Sequence, residues 1–244
     1  WNSQDLSSYL LEITVNILKR KRGNEFVLDA ILDAAGNKGT GSWSSTAALN
    51  LGTVNTMMTS AVFMRYISSF KEKRIQLSGL INHKVQQEKS LNIKSLKKAY
   101  RFARIINHHQ GFELMQMASK EYNWNLNLSE IARIWTNGCI IRSGFMETLV
   151  DILKKNDSCL DDQILLNILV KSERGITKCI SASLNNRIVF DSFYAAYNYW
   201  IAMTTKNLSA NLIQAQRDYF GAHMFQFTND SSKKYHHINW LEND

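Results

Sequence analysis

The sequence contains no proline, although an average protein uses about 5%. Gly, Asn, Asp and Ser must therefore shape the turns, and the unfolded chain keeps more conformational entropy than a proline-containing one. Cysteine is scarce as well: Cys139, Cys159 and Cys179 lie far apart and form no C-x-x-C pair. This spacing indicates neither a disulfide framework nor a zinc site, and it favours a reducing, cytoplasmic compartment.

Long apolar runs are also absent. No segment reaches the roughly 18 consecutive apolar residues of a membrane-spanning helix, and the first residues lack the pattern of a signal peptide. The sequence therefore predicts no membrane association. The chain opens at Trp1 without a methionine, in a segment that already reads as a helix entry with Ser3 or Asp5 as the candidate N-cap. We therefore expect a fragment.

The chain carries an excess of positive charge, with a net charge of +8 and a pI near 9.3. Nucleic-acid binding would require clustered cations, and 19–22 (Lys-Arg-Lys-Arg) is the only dense run. That run follows an apolar-periodic segment, where cations offset the negative end of a helix dipole. We therefore expect a solvated helix end rather than a nucleic-acid site. Steering of a small anionic substrate would account for the excess charge equally well.

Apolar residues recur at spacings of three and four along most of the chain, while strand-like alternation is nearly missing. This pattern predicts an all-α fold with many helices and little or no sheet. Ser42 or Ser44 is the candidate cap of the third segment, Gly111 is a possible kink, and loops are expected at 36–41 and 83–90. The predicted helices are 6–22, briefly 26–35, then 42–51, 56–80, 91–122, 128–153, 161–170, 173–184, 192–206 and 210–220.

Three segments carry side chains suited to binding an anion. Lys38 and Thr40 offer an ammonium and a hydroxyl beside flexible glycines, although the P-loop spacing is lacking and a plain turn is the competing interpretation. Arg65, among apolar and aromatic neighbours, either extends to solvent or meets a buried anion. Arg217 and His223 bind a ligand or pair with carboxylates in this part of the chain, such as Asp218 or Glu242. Two arginines and a lysine would balance the charge of a sugar phosphate.

The adjacent pair His108-His109 is a weaker candidate for metal binding or acid–base catalysis. Neighbouring residues on a helix point about 100° apart, and only Glu113 lies in helical register with the pair. We expect both histidines to have a surface or core role.

Three stretches together carry a resemblance to a known family: 36–43 (GNKGTGSW), 138–143 (GCIIRS) and 214–223 (QAQRDYFGAH). They resemble the C-terminal all-helical domain of decarboxylating 6-phosphogluconate dehydrogenases, over nearly the whole chain. The resemblance implies that Lys38, Thr40 and Arg65 bind the substrate phosphate. It also implies that Arg217 and His223 reach into the active site of a neighbouring subunit, which makes a homodimer with composite sites.

The family resemblance further implies NADP-dependent conversion of 6-phosphogluconate to ribulose 5-phosphate and carbon dioxide, without a metal. Residues 1–227 would form the substrate-binding and dimerisation domain, and 228–244 a C-terminal tail that docks on the partner subunit. The Rossmann domain and the general acid and base of the family are absent from this chain, so we expect no turnover by the chain alone. Ser42 replaces a lysine that is usual in the family. A non-catalytic dimerisation or interaction module derived from the family is the alternative.

Overall fold

The computed structural model describes residues 1–81 and 91–242. Within these ranges the chain is mainly helical, which confirms the predicted all-α class. The predicted loop at 83–90 lies outside the described residues. The α-helices are α1 Tyr9–Lys19, α2 Thr40–Asn50, α3 Thr56–Ser69, α4 Lys71–Leu80, α5 Ile93–Glu121, α6 Leu128–Trp135, α7 Gly144–Leu153, α8 Gln163–Asn185, α9 Asp191–Thr204 and α10 Ala210–Gly221.

Short elements complete the described chain. Two-residue strands β1 (Lys21–Arg22) and β2 (Glu25–Phe26) pair antiparallel, and 3₁₀ turns cover Val27–Ala30 and Cys159–Asp161. No helix in the described part of the chain combines the length and apolarity needed to cross a membrane. The chain divides into two compact units, unit 1 (Trp1–Tyr199) and unit 2 (Trp200–Asp244).

The first helix is shorter than predicted at both ends. Its N-cap is Ser8, whose hydroxyl accepts a hydrogen bond from the backbone N–H of Leu11 at 3.2 Å, so the prediction of Ser3 or Asp5 was wrong. Asp5 instead binds Lys97 and Arg101 of α5. Helix α1 ends at Lys19, and the rest of the basic run enters the β1–β2 hairpin with all four cations exposed. The brief helix predicted over 26–35 is only a 3₁₀ turn.

The core of unit 1 forms around α5, a 29-residue helix that packs against α8. Phe102 and Ile106 of α5 and Leu169 and Ile176 of α8 are completely buried. Gly175 lies where the two helices come close, since a Cβ there would stand 2.4 Å from the Cβ of Lys98. Helix α8 is continuous from Gln163 to Asn185, so the predicted separation of 161–170 from 173–184 was wrong.

Two helices predicted as continuous are interrupted. The predicted helix 56–80 breaks at Phe70, between α3 and α4, where ψ is 44°. The predicted helix 128–153 contains a connection between α6 and α7 in which Gly138 has φ +65°. Ser143 then restarts the helix by accepting a hydrogen bond from the backbone N–H of Met146 at 3.1 Å. Helix α5, in contrast, passes through Gly111 as one helix.

Unit 2 consists of the end of α9, helix α10 and the C-terminal tail. The backbones of Phe225 and His236 exchange hydrogen bonds at 3.0 and 2.8 Å, which folds the tail into a hairpin. The Phe225 ring contacts Phe227 and Trp240, with centroid distances of 5.0 and 6.1 Å. The aromatic tail therefore has partners within its own unit, while its docking on a second subunit stays a prediction.

Candidate functional site

The glycine loop of unit 1 leads directly into helix α2. Gly39 is the N-cap of this helix, with φ +92°, and Thr40 is its first residue. The loop is closed by Asn37, whose side-chain oxygen accepts a hydrogen bond from the N–H of Gly39 at 2.7 Å. The predicted caps Ser42 and Ser44 instead lie inside the helix. A left-handed N-cap requires glycine, because other residues are strained at this φ.

Helices α2 and α3 form an antiparallel hairpin that fixes the position of this loop. Thr59 of α3 donates a hydrogen bond to the hydroxyl of Ser45 of α2 at 3.0 Å. Near the start of α2, a Cβ on Gly41 would stand 2.7 Å from Cγ2 of Val62. The N-terminus of α2 therefore lies beside the middle of α3.

The loop before α2 also contacts α3, on the far side of Arg65. The backbone N–H of Ala35 donates to the hydroxyl of Ser68 at 2.9 Å. Val62, Arg65 and Ser68 are spaced i, i+3, i+6, so they form one ridge along α3 with Arg65 in the middle. The segment 35–41 is thus held against α3 at Ser68 and at Val62, the two ridge positions on either side of Arg65. We call Lys38, Thr40 and Arg65, the three predicted phosphate ligands of unit 1, the cationic edge.

The cations of this edge are free of ionic partners. Lys38 and Arg65 are exposed, and neither makes an ion pair within residues 1–81 and 91–242. Nearby, Arg74 and Lys71 bind both carboxylate oxygens of Asp33 at 2.9 and 2.5 Å. Hydrogen bonds from Arg74 and Lys71 hold the pKa of Asp33 well below its usual range. Asp33 is therefore paired with Lys71 and Arg74. It does not neutralise Lys38 or Arg65.

Arg65 also borders a cavity of about 770 Å³ lined largely by apolar side chains. His108 lies on the wall of this cavity, with its ring edge-on to Phe145 at 5.2 Å and Nδ1 2.8 Å from the carbonyl oxygen of Arg104. Burial lowers the pKa of His108 to about 4, so this imidazole is neutral at physiological pH. Its neighbour His109 is buried with Nε2 2.7 Å from the hydroxyl of Tyr199. His109 therefore belongs to the core, one of the two roles expected for the pair, while His108 is half-buried on the cavity wall.

In unit 2, Arg217 and His223 lie at the C-terminal end of α10, and both are exposed. Arg217 donates from Nη1 to the side-chain oxygen of Gln214 at 3.1 Å. Among the described residues, Arg217 does not form the ion pair with Asp218 that the sequence left open. Consecutive helical residues point about 100° apart, and the Asp218 side chain turns inward.

Asp218 is completely buried and organises the tail of unit 2. Oδ1 accepts hydrogen bonds from the N–H of Met224 at 2.9 Å and from Nδ1 of His237 at 3.0 Å. Oδ2 accepts from Nε1 of Trp240 at 2.9 Å and from the N–H of Ile238 at 3.3 Å. Burial by itself raises the pKa of this carboxyl, but these hydrogen bonds lower it to about 2. The group is therefore a carboxylate throughout the physiological range.

Comparison with known proteins decides the family. A family model described as "6-phosphogluconate dehydrogenase, C-terminal domain" matches residues 1–240. The chain belongs to this family. The solved Plasmodium falciparum 6-phosphogluconate dehydrogenase, described in its apo form and in complexes with NADP+ and with its substrate 6-phosphogluconate, aligns with a TM-score of 0.92 and 36% identity. That alignment covers 98% of this chain and 53% of the Plasmodium chain.

Curated relatives give the same result. The decarboxylating 6-phosphogluconate dehydrogenase of Lactococcus lactis subsp. lactis is 38% identical, across 100% of this chain and 53% of its own length. The Dictyostelium discoideum protein of the same name is 39% identical, across 98% of this chain and 52% of its own length. An NADP(+)-dependent relative from Bacillus subtilis is 38% identical, across 99% and 53%. The chain thus spans about half the length of the relatives that it matches.

The predicted site residues therefore fall into two groups. Lys38, Thr40 and Arg65 belong to unit 1, in and around the segment that contacts α3, whereas Arg217 and His223 belong to unit 2, within and just after α10. Their role as phosphate ligands remains a prediction. Sequence reasoning considered Asp218 only as an ion-pair partner and missed its part in organising the tail. The available signal was a carboxylate in a helix followed, about twenty residues later, by a histidine and tryptophan that needed acceptors.

Proposed function

We propose that this chain is the substrate-binding and dimer-forming part of a decarboxylating, NADP-dependent 6-phosphogluconate dehydrogenase of the cytoplasmic pentose phosphate pathway. The enzyme would convert 6-phosphogluconate to ribulose 5-phosphate and carbon dioxide. The observation that carries the proposal is a set of exposed cations, Lys38, Arg65 and Arg217, without ionic partners among the described residues of a chain that belongs to this family.

The chemistry of a sugar phosphate fits these groups. The phosphate carries nearly two negative charges, which one lysine does not balance, whereas an arginine guanidinium binds two of its oxygens at once. Thr40 adds a hydroxyl at the first position of α2, where backbone N–H groups and the helix dipole also favour an anion. His223 adds a hydrogen bond to the phosphate or to a substrate hydroxyl.

We propose that NADP binds mainly outside this chain. The sequence contains no G-x-G-x-x-G motif, and the strands of the described residues form only the short β1–β2 hairpin, so these residues do not fit the dinucleotide site of a Rossmann fold. Relatives about twice as long as this chain leave room for such a domain. NADP would supply the hydride acceptor, while residues of this chain hold the substrate. The chain alone is therefore expected to be inactive.

We further propose a homodimer in which each active site is composite. In this arrangement, Arg217 and His223 of one subunit complete the phosphate site of the other, and the tail at 228–244 docks on the partner. The exposed position of both residues supports this arrangement, because a group that serves another subunit must remain accessible. Crosslinking or analytical ultracentrifugation of the protein would test the dimer directly.

Phosphate-dependent binding is the direct test of the proposed function. Calorimetry on the 244-residue chain should detect 6-phosphogluconate but not gluconate, which lacks the phosphate. Arg65→Ala and Arg217→Ala should each weaken binding. Arg133→Ala is the matched control, because this exposed arginine pairs with Glu130 at 2.7 Å on α6. Equal binding of both ligands, or an equal loss in the control, would contradict the proposal.

The second candidate is a non-catalytic dimerisation or interaction module. Ser42 favours it, because the resemblance places a lysine at this position in the family. A single assay on the protein encoded by the complete gene distinguishes the two candidate functions. NADPH formation that depends on 6-phosphogluconate supports the enzyme, and dimerisation without any NADPH formation supports the module.

A further inference from the structure

The turn that carries His223 has an unusual backbone. Ala222 and Met224, on either side of His223, have φ +48° and +57°, in the left-handed region that non-glycine residues rarely adopt. Such a turn persists only when its surroundings determine it. We name it the 222–224 turn.

Three hydrogen bonds from α10 hold the 222–224 turn in place. The N–H of Ala222 donates to the carbonyl oxygen of Asp218 at 2.9 Å, and the N–H of Met224 donates to Oδ1 of the same residue at 2.9 Å. The carbonyl of Met224 accepts from Nε2 of Gln214 at 2.5 Å. Asp218 thus accepts hydrogen bonds from the backbone on both sides of His223, and Gln214 adds a third contact.

The His223 ring folds back against the end of α10. It stands edge-on to Phe220, with a centroid distance of 5.8 Å, and a Cβ on Gly221 would come within 2.9 Å of its Nε2. The direction of the imidazole therefore depends on the turn beneath it and on the absence of a side chain at Gly221.

Gln214 links Arg217 to the 222–224 turn. Its Oε1 accepts from Nη1 of Arg217 at 3.1 Å, while its Nε2 donates to the carbonyl oxygen of Met224. A single amide therefore contacts both the Arg217 guanidinium and the backbone that follows His223. The Asp218 carboxylate also accepts from the tail, from His237 at Oδ1 and from Trp240 at Oδ2, so one buried group joins the turn to the tail.

We propose that Asp218, assisted by Gln214, is a positioning residue that presents Arg217 and His223 as a preformed anion-binding pair and makes that pair depend on the docking of 237–240. The proposal rests on the proposed function of Arg217 and His223. Preformed geometry matters because a small misplacement of binding groups lowers activity severely. Asp218 itself lies too deep to touch a ligand.

The first experiment compares Asp218→Asn with Asp230→Asn in the protein encoded by the complete gene. The control makes the same chemical change in the same unit, since Asp230 accepts from His236 at 3.0 Å but does not contact the 222–224 turn. Asp218→Asn should raise KM for 6-phosphogluconate about tenfold, because misplaced ligands weaken substrate binding, and should leave KM for NADP unchanged. The control should leave both KM values unchanged. An equal rise in both variants would overturn the proposal.

A double-mutant cycle separates positioning from a general loss of folding. If Asp218 acts through His223 and Arg217, then Asp218→Asn should add little to the effect of His223→Ala or Arg217→Ala on KM. A purely structural role would give additive effects and would overturn the proposal. Gln214→Ala, at a half-buried position, provides a second test if Asp218→Asn fails to fold. It should raise the same KM in a wild-type background but not in the Arg217→Ala background.

The outcomes distinguish this proposal from the one on which it rests. If Arg217→Ala and His223→Ala themselves leave KM for 6-phosphogluconate unchanged, the proposed function of the pair is wrong, and the positioning role falls with it. If both raise KM while Asp218→Asn and Gln214→Ala do not, only the positioning role is wrong.

Discussion

The two units offer their candidate ligands in different ways. In unit 1 the cationic edge presents exposed side chains on a loop and a helix surface, and the contacts that fix them are made by the backbone and by neighbours such as Ser68. In unit 2 the side chain of Arg217 itself donates a hydrogen bond to Gln214, and the turn that carries His223 is hydrogen-bonded to the buried carboxylate of Asp218. Under the proposed function, unit 1 would contribute charge that adapts to the ligand, whereas unit 2 would contribute a preformed geometry.

Substitution of Arg217 tests whether substrate binding depends on the geometry of unit 2. Arg217→Ala should raise KM for 6-phosphogluconate about 100-fold, since hydrogen bonds to charged groups contribute about 1.5–3 kcal/mol. Arg217→Lys should recover little of this loss, because an ammonium does not reproduce the planar fork. Lys38→Arg in unit 1 should change KM by less than about threefold, since an exposed cation there acts mainly as a charge. Steady-state kinetics with both substrates gives the answer, and equal rises in KM for NADP and 6-phosphogluconate would contradict the assigned role.

The sequence predicted the helical class and most helix positions, but it did not predict the breaks. Apolar spacing runs through Phe70 without a visible stop, because the interruption there is a local change in ψ that needs neither glycine nor proline. The boundary predicted between 170 and 173 was wrong in the opposite direction, since α8 continues through it and packs along α5. Both errors arise from tertiary packing, which periodicity does not record.

The candidate site residues follow from the family resemblance, whereas the contacts around them are visible only in the structure. Charge requirements alone indicated two arginines and a lysine, without saying which ones meet. The sequence shows the i, i+3, i+6 spacing of Val62, Arg65 and Ser68, but only the structure shows that Ala35 and Gly41 lie against this ridge. Asp218 was missed because its partners in the tail are distant in sequence, and no local pattern links a carboxylate to them.

A methyl group added at Gly221 tests whether the position of the His223 ring matters. Gly221→Ala places a Cβ within 2.9 Å of the His223 ring, which must rotate away. We expect KM for 6-phosphogluconate to rise about tenfold, as when a binding group is misplaced, while thermal stability changes little. Gly79→Ala in α4 is the control, because a Cβ there meets nothing within 4 Å. That variant should keep its KM and gain about 0.5–1 kcal/mol of stability. Unchanged KM in Gly221→Ala would show that the ring position is not important.

The units should also differ in their response to acid. Burial lowers the pKa of His108 to about 4, whereas the unfolded residue titrates near 6.5. The unfolded state therefore binds the extra proton first, and stability that is complete above pH 6.5 is lost as the pH falls. From pH 6.5 to 5.5 this histidine should cost unit 1 about 1 kcal/mol. The pKa of Asp218 is about 2, so its own contribution is lost only as the pH falls from about 4 towards 2.

Denaturant unfolding of the wild type and of His108→Gln at both pH values measures the effect of His108. The difference in unfolding free energy between the two proteins should change by about 1 kcal/mol over this interval. The many surface carboxylates affect both proteins alike and cancel in the difference. A constant difference would mean that His108 is not held in its neutral form.

The smallest expected effect tests whether unit 1 responds to charge alone. Ser42→Lys restores the lysine that the family resemblance places in the first turn of α2, two residues after Thr40 of the cationic edge. The added charge should tighten 6-phosphogluconate binding about threefold, because a charge pair near water contributes at most about 1 kcal/mol. The same lysine opposes the helix dipole in the free and bound protein alike, so stability should fall by about 0.3–1 kcal/mol while affinity rises. Thr46→Lys adds an equal charge one turn farther along α2, and calorimetry at low and high salt should find a clearly smaller gain there. Equal gains at both positions would mean that net charge steers the anion and that the edge binds no phosphate of its own.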